Sequence, residues 1–412
     1  MISFKEIEKM LESLQLRNDN SLDSEKIRDL IQKKKKNIFL LNQMQCQLNK
    51  DSSHGSGKDR KVLKALSNDI KLKKNDLSEI EKELEKLFFN IPNVLKSDVP
   101  HGQSSLENIK ICVVGQKTYF NFIPKTHEEI GNLLDILDFK KSSEISGPRF
   151  VFFKKIGVLL YRALYQYFCD FHISQGDIEI FPPYLVKSNA LYGTGQLPKF
   201  NKDIFKVVIE DNARELYLIP TAEVPVTNYH LNEIVDVENP IRYCAYSSCF
   251  RAEAGASGRD SNGLIRLHQF EKVELVRFCK EEDAEKEFNL MVIRVSKILS
   301  NLGLPHRLMF LCTGDTGFSA SKTYDLEVWF PSQNKYREVS SCSDFGTFQA
   351  SRSKIRYRDK YGKKKFVTTL NGSGLPLGRI FAAILENNQT RQGTVNIPMV
   401  LQPYMKGIME IK

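Results

Sequence analysis

The chain has 412 residues, which is enough for two or three domains with at least one sizeable hydrophobic core. Hydrophobic residues make up 41% and charged residues 27%, and no apolar run is long enough to span a bilayer, so the composition argues against a membrane protein. The formal net charge of +10 weakly favours a polyanionic partner.

The N-terminal residues lack the apolar core of a signal peptide, and we expect a cytoplasmic protein. Residues 25–88 then predict an antiparallel pair of long helices. Apolar residues recur at steps of four and three on both sides of a Gly/Ser-containing break at 51–58, which is typical of a coiled-coil seam in two pieces. A short connection makes such helices fold back, and the second would reach about 45 Å. The apolar positions of the seam are Ile27, Ile31, Ile38, Leu41, Leu48, Leu63, Leu66, Ile70, Leu77, Ile80, Leu84 and Leu87.

This helical arm, residues 25–88, carries much of the excess charge, with 16 Lys and Arg against 10 Asp and Glu. Its lysines suit RNA phosphates, but a solvated coiled-coil face or a dimerisation zipper has the same pattern, so both interpretations stay open at this point. The basic residues expected on its exposed faces are Lys33, Lys34, Lys35, Lys36, Lys58, Arg60, Lys61, Lys64, Lys71, Lys73 and Lys74.

Pro92 ends the second helix, and residues 91–110 predict a linker. Hairpin-like strand spacing with segregated helices then predicts an α+β domain, built on an antiparallel sheet flanked by helices. We expect an N-terminal domain over 1–100 and a second domain over 101–412. The clearest predicted elements are a helix at 156–171 and strands at 216–220, 243–251, 268–278, 324–330 and 366–370.

The eight cysteines are scattered, and none belongs to a CxxC pair. In a chain without a secretory signal, this distribution favours reduced, mostly buried thiols over a zinc site or a disulfide framework.

Residues 249–274 predict a strand, a polar loop at 256–262 and a returning strand. Arg251 and Glu253 alternate by two and share a face, as do Phe270 and Glu274. An arginine fork beside an aromatic ring suits a nucleotide, with the phosphate on the guanidinium and the base on the ring. A surface strand pair with salt bridges is the alternative interpretation.

Residues 372–379 predict a glycine-rich turn that leads into a helix at 380–386. Glycines let a backbone approach a ligand, and Arg379 at the start of the helix can reach phosphates. The segment lacks the Lys and Ser/Thr of a P-loop, and alone such a turn is more often structural. A third stretch, 157–183, predicts a long helix followed by a strand that ends in Pro-Pro.

Taken in chain order, 157–183, 249–274 and 372–379, the three stretches resemble the signature motifs of class II aminoacyl-tRNA synthetases. Together with the basic helical arm, five co-linear segments are similar to the seryl-tRNA synthetase family within that class, and the resemblance covers essentially the whole chain. The segments are TAEVP at 221–225, FRAEAG at 250–255, HQFEKVE at 268–274, EVSSCS at 338–343 and TLNGSGL at 369–375. The segment 346–353, GTFQASRS, departs from the family by carrying serine where a second arginine is common, which we expect to affect packing or tRNA contacts without touching a ligand group.

The resemblance implies an ATP-dependent serine–tRNA ligase with a tRNA-binding N-terminal domain and a class II catalytic domain. The serine carboxylate would attack the α-phosphorus of ATP, and the adenylate would then acylate the 3′-terminal adenosine of tRNA(Ser), with tRNA(Sec) as a further candidate. The implied partners are L-serine, ATP, Mg²⁺, tRNA and a second copy in a homodimer, with neither a membrane nor DNA.

The resemblance also implies individual roles. Arg251 would bridge the α-phosphate and the serine carboxylate, while Glu253 would hold the adenine edge. Phe270 and Arg379 would cover the two faces of the base. The residues implied for catalysis are Arg251, Arg379 and Glu338; for ATP binding, Arg251, Ala252, Glu253, Leu267, Phe270, Glu338, Val339, Ser340, Ser341 and Arg379; for serine binding, Thr221, Ala222, Glu223, Arg251, Glu274 and Ser373; for Mg²⁺, Glu338 and Ser341; for tRNA, Lys33, Lys34, Lys35, Lys36, Lys61 and Lys64.

A buried carboxylate at Glu274 that accepts the hydroxyl proton of serine would reject alanine, whereas threonine would have to be excluded by lack of room for a methyl group. From the residues alone, Glu274 and Glu338 could equally be strand residues in salt bridges. Other interpretations are an adenylating paralogue that loads a carrier protein, a non-catalytic RNA-binding protein, and a class II enzyme for another amino acid. The complete charged set and the basic arm favour the serine–tRNA ligase.

Overall fold

A computed structural model describes residues 4–17, 22–53, 60–209, 214–254 and 263–412. The chain divides into two compact units, Met1–Pro92 and Asn93–Lys412, so the boundary expected at residue 100 lies inside the second unit. Within the described ranges, no helix combines the length and apolarity that a bilayer crossing requires.

The helices and strands of the described ranges are numbered in chain order. The helices are α1 (Phe4–Leu16), α2 (Ser24–Ser53), α3 (Arg60–Phe88), α4 (His127–Leu133), α5 (Phe139–Ser146), α6 (Lys155–Ser174), α7 (Ser188–Thr194), α8 (Glu223–Thr227), α9 (Ala284–Asn301), α10 (Phe348–Ser353) and α11 (Leu377–Asn387). The strands are β1 (Ile109–Val114), β2 (Leu137–Asp138), β3 (Phe152–Phe153), β4 (Ile178–Glu179), β5 (Leu185–Val186), β6 (Lys206–Ile209), β7 (Arg214–Leu218), β8 (Ile241–Phe250), β9 (Gln269–Cys279), β10 (His306–Phe310), β11 (Lys322–Phe330), β12 (Lys335–Asp344), β13 (Arg356–Arg358), β14 (Lys364–Phe366), β15 (Thr368–Pro376), β16 (Val395–Asn396) and β17 (Glu410–Ile411).

In the first unit, α2 and α3 pack against each other along the predicted seam. Ile27, Ile31, Leu41 and Ile70 are buried, whereas Ile38 is 37% exposed and was wrongly assigned to the seam. Two ion pairs join the helices in antiparallel order: Lys26 to Glu83 at 2.8 Å and Lys34 to Glu81 at 2.9 Å. The predicted connection lies largely outside the described residues, as does Lys58.

Helix α1 was not predicted from the sequence. It buries Met10, Leu11 and Leu14, and its Glu8 pairs with Arg28 of α2 at 3.2 Å. The first unit therefore contains a third helix, α1, packed near the start of α2, in addition to the two-helix arm.

The second unit is built on an eight-stranded sheet with the order β1-β10-β11-β12-β15-β9-β8-β4. Neighbouring strands are antiparallel except for β4, which runs parallel to β8 at one edge. Helices α6, α9 and α11 pack on this sheet over a large apolar core. The predicted α+β architecture on an antiparallel sheet is confirmed. A separate three-stranded sheet has the order β5-β7-β6, and its strands come between β4 and β8 in the sequence.

Strand pleating decides which side chains of the sheet can form a site. Along β9, Val273 and Leu275 are buried in the core with the helices, whereas Lys272 and Glu274, one position away, must face the other side. On that side they line an open cavity.

The glycine-rich segment 372–376 is not a turn, as the sequence predicted, but the last part of strand β15, which leads directly into α11. A Cβ atom at Gly372 would lie 2.6 Å from the sulfur of Met291 and 2.7 Å from that of Cys342. Glycine is therefore required there by close packing of the strand against its neighbours.

Candidate active site

A cavity of about 660 Å³ opens on the sheet face opposite the helical core, and a smaller one of about 80 Å³ adjoins it. The two share a wall of charged and polar side chains. The shared residues are Arg251, Glu253, Arg266, Lys272, Glu338, Ser373 and Arg379. Most of the residues predicted for ATP and serine binding are therefore brought together from β9, β12, β15 and the segments around them.

Glu274 lies at the inner end of the larger cavity and is only 1% exposed. Thr221 donates a hydrogen bond from Oγ1 to Oε2 of Glu274 at 2.5 Å, and Asn371 donates from Nδ2 to Oε1 at 3.5 Å. The ammonium of Lys272, itself 5% exposed, forms an ion pair with the same carboxylate. A buried carboxylate is thus held in place by one cation and two neutral donors, which offsets the cost of its desolvation.

Glu223, at the start of α8, is a second buried carboxylate of the same cavity. Gln349 donates from Nε2 to Oε1 of Glu223 at 2.6 Å and is itself oriented by Thr369, which donates to its Oε1 at 2.8 Å. Burial, followed by the negative charge of Glu274, raises the pKa of Glu223 to about 7. When Glu223 is ionised, above about pH 7, it can pair with an ammonium group of a ligand, since Lys272 is already paired with Glu274.

The serine departure in segment 346–353 was expected to affect packing or tRNA contacts without touching a ligand group. The hydroxyl of Ser351 donates to the carbonyl of Phe348 at 2.9 Å and that of Ser353 to Oδ1 of Asn228 at 3.0 Å, and neither partner is a residue predicted to bind a ligand. Ser353 is fully buried, so its hydroxyl is satisfied by this hydrogen bond inside the protein. Gln349, which is in the same segment but is not part of the departure, contacts Glu223.

The smaller cavity has the features of a nucleotide site. Phe270 and Arg379 both line it, together with Leu267 and Val339. The Arg251 guanidinium carbon lies 5.1 Å from the centroid of the Phe270 ring. An aromatic ring and guanidinium groups on the walls of one slot can hold a flat base and the phosphates attached to it.

Backbone groups hold the two arginines. Arg251 donates from Nε to the carbonyl of Pro220 at 3.2 Å. Arg379 donates from Nε to the carbonyl of Ile265 at 3.2 Å and from Nη1 to the carbonyl of Glu338 at 2.7 Å. Since each guanidinium has five donors, these contacts fix its plane and leave others for a ligand.

Glu253, predicted to hold the base edge, has a positive φ of 52° and forms an ion pair with Arg266. The left-handed backbone at a non-glycine residue stores strain of about 1 kcal/mol or more, which is typical of residues held in place for binding. Residues 255–262, which include the whole of the predicted polar loop, lie outside the described ranges.

Side-chain oxygens of Asp325, Glu338 and Ser341 lie on the paired strands β11 and β12. Glu338 is 49% exposed, and Ser341 lies directly opposite Asp325 in the strand register. Oδ1 of Asp325 is buried and has no hydrogen-bond partner within the described structure, and burial together with the charge of Glu338 raises its pKa well above the usual range. The described residues contain no group of three or more His, Cys, Asp or Glu side chains suited to hold a metal by themselves.

Three predicted residues do not line either cavity. Ala222 is fully buried, and the backbone nitrogen of Ala252 donates to the carbonyl of Asp203 at 2.9 Å. Ser340 is also buried and donates its hydroxyl to the carbonyl of Ser373 at 2.6 Å. These residues support the residues that line the cavities and do not line them.

Sequence reasoning did not single out Lys272, Gln349, Asn371 or Arg266, all of which contact predicted site residues. The position of Lys272 two residues before Glu274 on one strand was a usable signal, because both must face the same side. Gln349 and Asn371 carry no comparable local signal, since the fold brings them to the site from distant segments.

Comparison with known proteins agrees with this geometry. Residues 205–388 match the tRNA synthetase class II core domain (G, H, P, S and T). The serine–tRNA ligase of Pelotomaculum thermopropionicum is 48% identical, covering 93% of this chain and 92% of that protein, and the serine–tRNA ligase of Myxococcus xanthus is 52% identical, covering 85% and 82%.

Two solved structures are also similar. The seryl-tRNA synthetase of Pyrococcus horikoshii, complexed with ATP, superimposes with a TM-score of 0.93 at 30% identity over 100% of this chain and 99% of that chain. The cytoplasmic serine–tRNA ligase of Naegleria fowleri, in complex with AMP, has a TM-score of 0.89 at 29% identity over 98% and 95%. With relatives this similar over nearly its whole length, the chain belongs to the serine–tRNA ligase family of class II aminoacyl-tRNA synthetases.

Proposed function

We propose that the chain activates L-serine with ATP and transfers it to tRNA(Ser). The observation that carries the proposal is the arrangement of two adjoining cavities: the buried Glu274 and Glu223 line the larger, Phe270 lines the smaller, and Arg251 and Arg379 line both. A small amino acid and a nucleotide fit these cavities, and their reacting groups would meet between them.

In the first step, the serine carboxylate attacks the α-phosphorus of ATP and pyrophosphate leaves, so no protein nucleophile is required. Arg251 lies where both substrates meet, since it lines both cavities. Its guanidinium would bridge the carboxylate and the α-phosphate and would stabilise the charge that develops on the phosphate oxygens. Fixed orientation of the two reactants supplies the rest of the rate acceleration.

For serine, Glu274 would accept a hydrogen bond from the side-chain hydroxyl, with Ser373 opposite it in the strand register. Glu223 and Thr221 would hold the ammonium group. The backbone nitrogen of Glu223 donates to Oγ1 of Thr221 at 3.2 Å, which orients that hydroxyl toward Glu274. Alanine would leave the buried carboxylate short of a donor, which strongly disfavours its binding.

For ATP, Phe270 and Arg379 would cover the base, with Glu253 at its edge and Leu267 and Val339 as apolar walls. Glu338 and Ser341 would hold Mg²⁺, and the unpartnered buried oxygen of Asp325 beside them fits an oxygen-rich cation site. Two protein oxygens are sufficient, because Mg²⁺ in such sites retains water and substrate phosphates as its other ligands. Bound there, it would neutralise charge on the triphosphate.

For tRNA, we propose the unit Met1–Pro92 as the binding domain, through the helical arm. Lys33, Lys35, Lys36, Lys61 and Lys64 are exposed on α2 and α3, which suits contacts with backbone phosphates. Lys34, by contrast, is half-buried and pairs with Glu81, so its main role is to join α2 to α3 and not to contact tRNA. Charging for translation would take place in the cytoplasm, and tRNA(Sec) is a second candidate acceptor.

We also propose a homodimer. The segment with the first class II motif leaves large apolar side chains exposed on α6, on β4 and just after β4: Val158, Ile173, Ile178 and Phe181. Because β4 is an edge strand, its outer side and these apolar groups are available to a second copy. The arm of one subunit would then guide tRNA to the other.

The experiment that tests the proposal traps the adenylate with hydroxylamine, amino acid by amino acid, and then adds tRNA. We expect hydroxamate with serine and ATP alone, and esterified tRNA when tRNA(Ser) is present. Hydroxamate with a different amino acid would contradict the serine assignment, and adenylate formation without any transfer to tRNA would favour another acceptor.

A further inference from the structure

A buried histidine outside the site contacts the wall of the smaller cavity. His127 begins α4, where a capping box of Thr126 and Glu129 fixes the first turn. His127 is 4% exposed, and its Nδ1 lies 2.7 Å from Oε1 of Glu386 on α11, a carboxylate that is fully buried. On the other side, Nε2 lies 3.0 Å from the backbone nitrogen of Leu264.

These contacts select one tautomer of the ring. The backbone nitrogen of Leu264 can only donate, so Nε2 of His127 must carry a lone pair. The proton of a neutral ring is then on Nδ1, where it is donated to Glu386, whose Oε1 also accepts the backbone N–H of His127 at 3.2 Å. The other oxygen of Glu386 accepts from the backbone and hydroxyl of Ser332, at 3.2 and 2.6 Å. The carboxylate thus holds one tautomer of the imidazole in one orientation.

The acceptor atom of this ring faces a piece of backbone that forms part of the nucleotide site. Leu264 and Ile265 line the smaller cavity and precede strand β9, so their backbone groups need partners from outside the sheet. The carbonyl of Ile265 accepts the hydrogen bond that orients Arg379. Gly263, with φ of 74°, passes so close to the ring that a Cβ atom there would lie 2.3 Å from Nε2.

We propose that His127 is a positioning residue for the nucleotide pocket: by accepting the N–H of Leu264 through Nε2, it holds the backbone that lines the pocket and orients Arg379. The inference rests on the proposed function only in assigning ATP to this pocket. His127 itself touches neither substrate, and its effect passes through Leu264 and Ile265.

Two substitutions separate the two contacts of the ring. In His127→Asn, the amide reaches the position of Nδ1 and can still donate to Glu386, but nothing accepts the N–H of Leu264. In His127→Gln, the carbonyl reaches the position of Nε2 and can accept from Leu264, but the donor to Glu386 is lost. If the ring only fills space or supports Glu386, Gln should be the more damaging change; if Nε2 positions the pocket, Asn should be.

The measurement is steady-state ATP–pyrophosphate exchange, with KM determined separately for ATP and for serine. We expect KM for ATP to rise about five- to tenfold in His127→Asn, the change that loss of about one hydrogen bond gives, and to stay within about twofold of wild type in His127→Gln. KM for serine should stay within about twofold in both. Ser332→Ala is the matched control, since it removes a hydrogen bond from the far side of Glu386 without touching Leu264, and it should leave KM for ATP unchanged.

An equal or larger rise in KM for ATP with Gln, or no rise with either variant, would overturn the proposal. If His127→Asn does not fold, Gly263→Ala gives the same test, because its methyl group would displace Nε2; a normal KM for ATP in that variant also overturns the proposal. Calorimetric titration with ATP alone gives the same ranking of variants without serine. The variants could rank as expected in ATP binding while the wild-type protein shows no serine-dependent exchange. That result would contradict the proposed function and not the role of His127.

Discussion

Replacing Glu274 by glutamine changes the part of the cavity that the proposed serine specificity depends on. Glutamine keeps the size of the side chain but removes its charge and turns one oxygen into a donor. In the structure both oxygens accept hydrogen bonds, from Thr221 and Asn371, and Lys272 pairs with the carboxylate. An amide cannot serve all three donors and the serine hydroxyl as well.

The size of the effect follows from these contacts. A hydrogen bond to a charged acceptor contributes about 1.5–3 kcal/mol, and a buried donor left unpaired costs about 1–3 kcal/mol. Because the surrounding groups can relax in part, we take about 3–4 kcal/mol for the loss in transition-state stabilisation. At about 1.4 kcal/mol per factor of ten, kcat/KM for serine should fall about 10²- to 10³-fold.

The assay is serine-dependent ATP–pyrophosphate exchange, with ATP affinity measured in parallel and a thermal melt as the check on folding. Glu271→Gln is the matched control on the same strand, since Glu271 lies outside both cavities of the site and accepts from Tyr161 at 2.5 Å and from Ser248 at 3.2 Å. We expect Glu271→Gln to stay within about threefold of wild type. A folded Glu274→Gln protein with normal kcat/KM for serine, or one whose loss is entirely in ATP binding, would refute the assigned role.

Three further outcomes are expected. The raised pKa leaves Glu223 mostly neutral below about pH 7, so the serine ammonium loses its carboxylate partner as the pH falls, and KM for serine should be about tenfold higher at pH 6 than at pH 8. Glu223→Gln should abolish this pH dependence of KM, and a wild-type KM that does not change with pH would speak against the contact. The double variant Lys36→Gln, Lys64→Gln should lower kcat/KM for tRNA and reduce the salt dependence of that constant by about two counterions, while exchange without tRNA is unaffected. The control Lys82→Gln, whose lysine pairs with Glu79, should change neither kcat/KM for tRNA nor its salt dependence. Equal effects of the two variants would exclude a specific role for Lys36 and Lys64. Glu338→Gln should raise the Mg²⁺ concentration needed for half-maximal exchange several-fold, and an unchanged Mg²⁺ dependence would remove Glu338 from the metal site.

Local patterns predicted the arm, the main strands and the shared faces of Arg251 with Glu253 and of Phe270 with Glu274, whereas Glu223 and Glu338 were assigned to the site only through the family resemblance. The seam of the arm is visible because a helical repeat depends only on near neighbours in sequence, and Ile27, Ile31, Leu41 and Ile70 are buried as that repeat requires. Ile38 has the right spacing and is nevertheless exposed, which shows that the repeat marks a seam without fixing each member of it.

Other features depend on contacts between distant segments. Glycine content alone predicted a turn at 372–379, yet Gly372 and Gly374 lie in strand β15, where Met291 and Cys342 leave no room for a side chain at Gly372. Gln349 reaches Glu223 over a sequence separation of 126 residues, and Asn371 reaches Glu274 only because β15 pairs with β9. His127 likewise contacts Leu264 and Glu386 from helix α4, which the sequence analysis did not predict although Thr126 and Glu129 have the spacing of a capping box.

The most direct measurement is a crystal structure with a non-hydrolysable seryl-adenylate analogue. We expect the hydroxyl of the seryl group within hydrogen-bonding distance of the Glu274 carboxylate, the phosphate mimic against the Arg251 guanidinium, and the adenine between Phe270 and Arg379. An analogue bound with its hydroxyl toward solvent, or with Arg251 out of reach of the phosphate mimic, would contradict the proposed serine activation at this site.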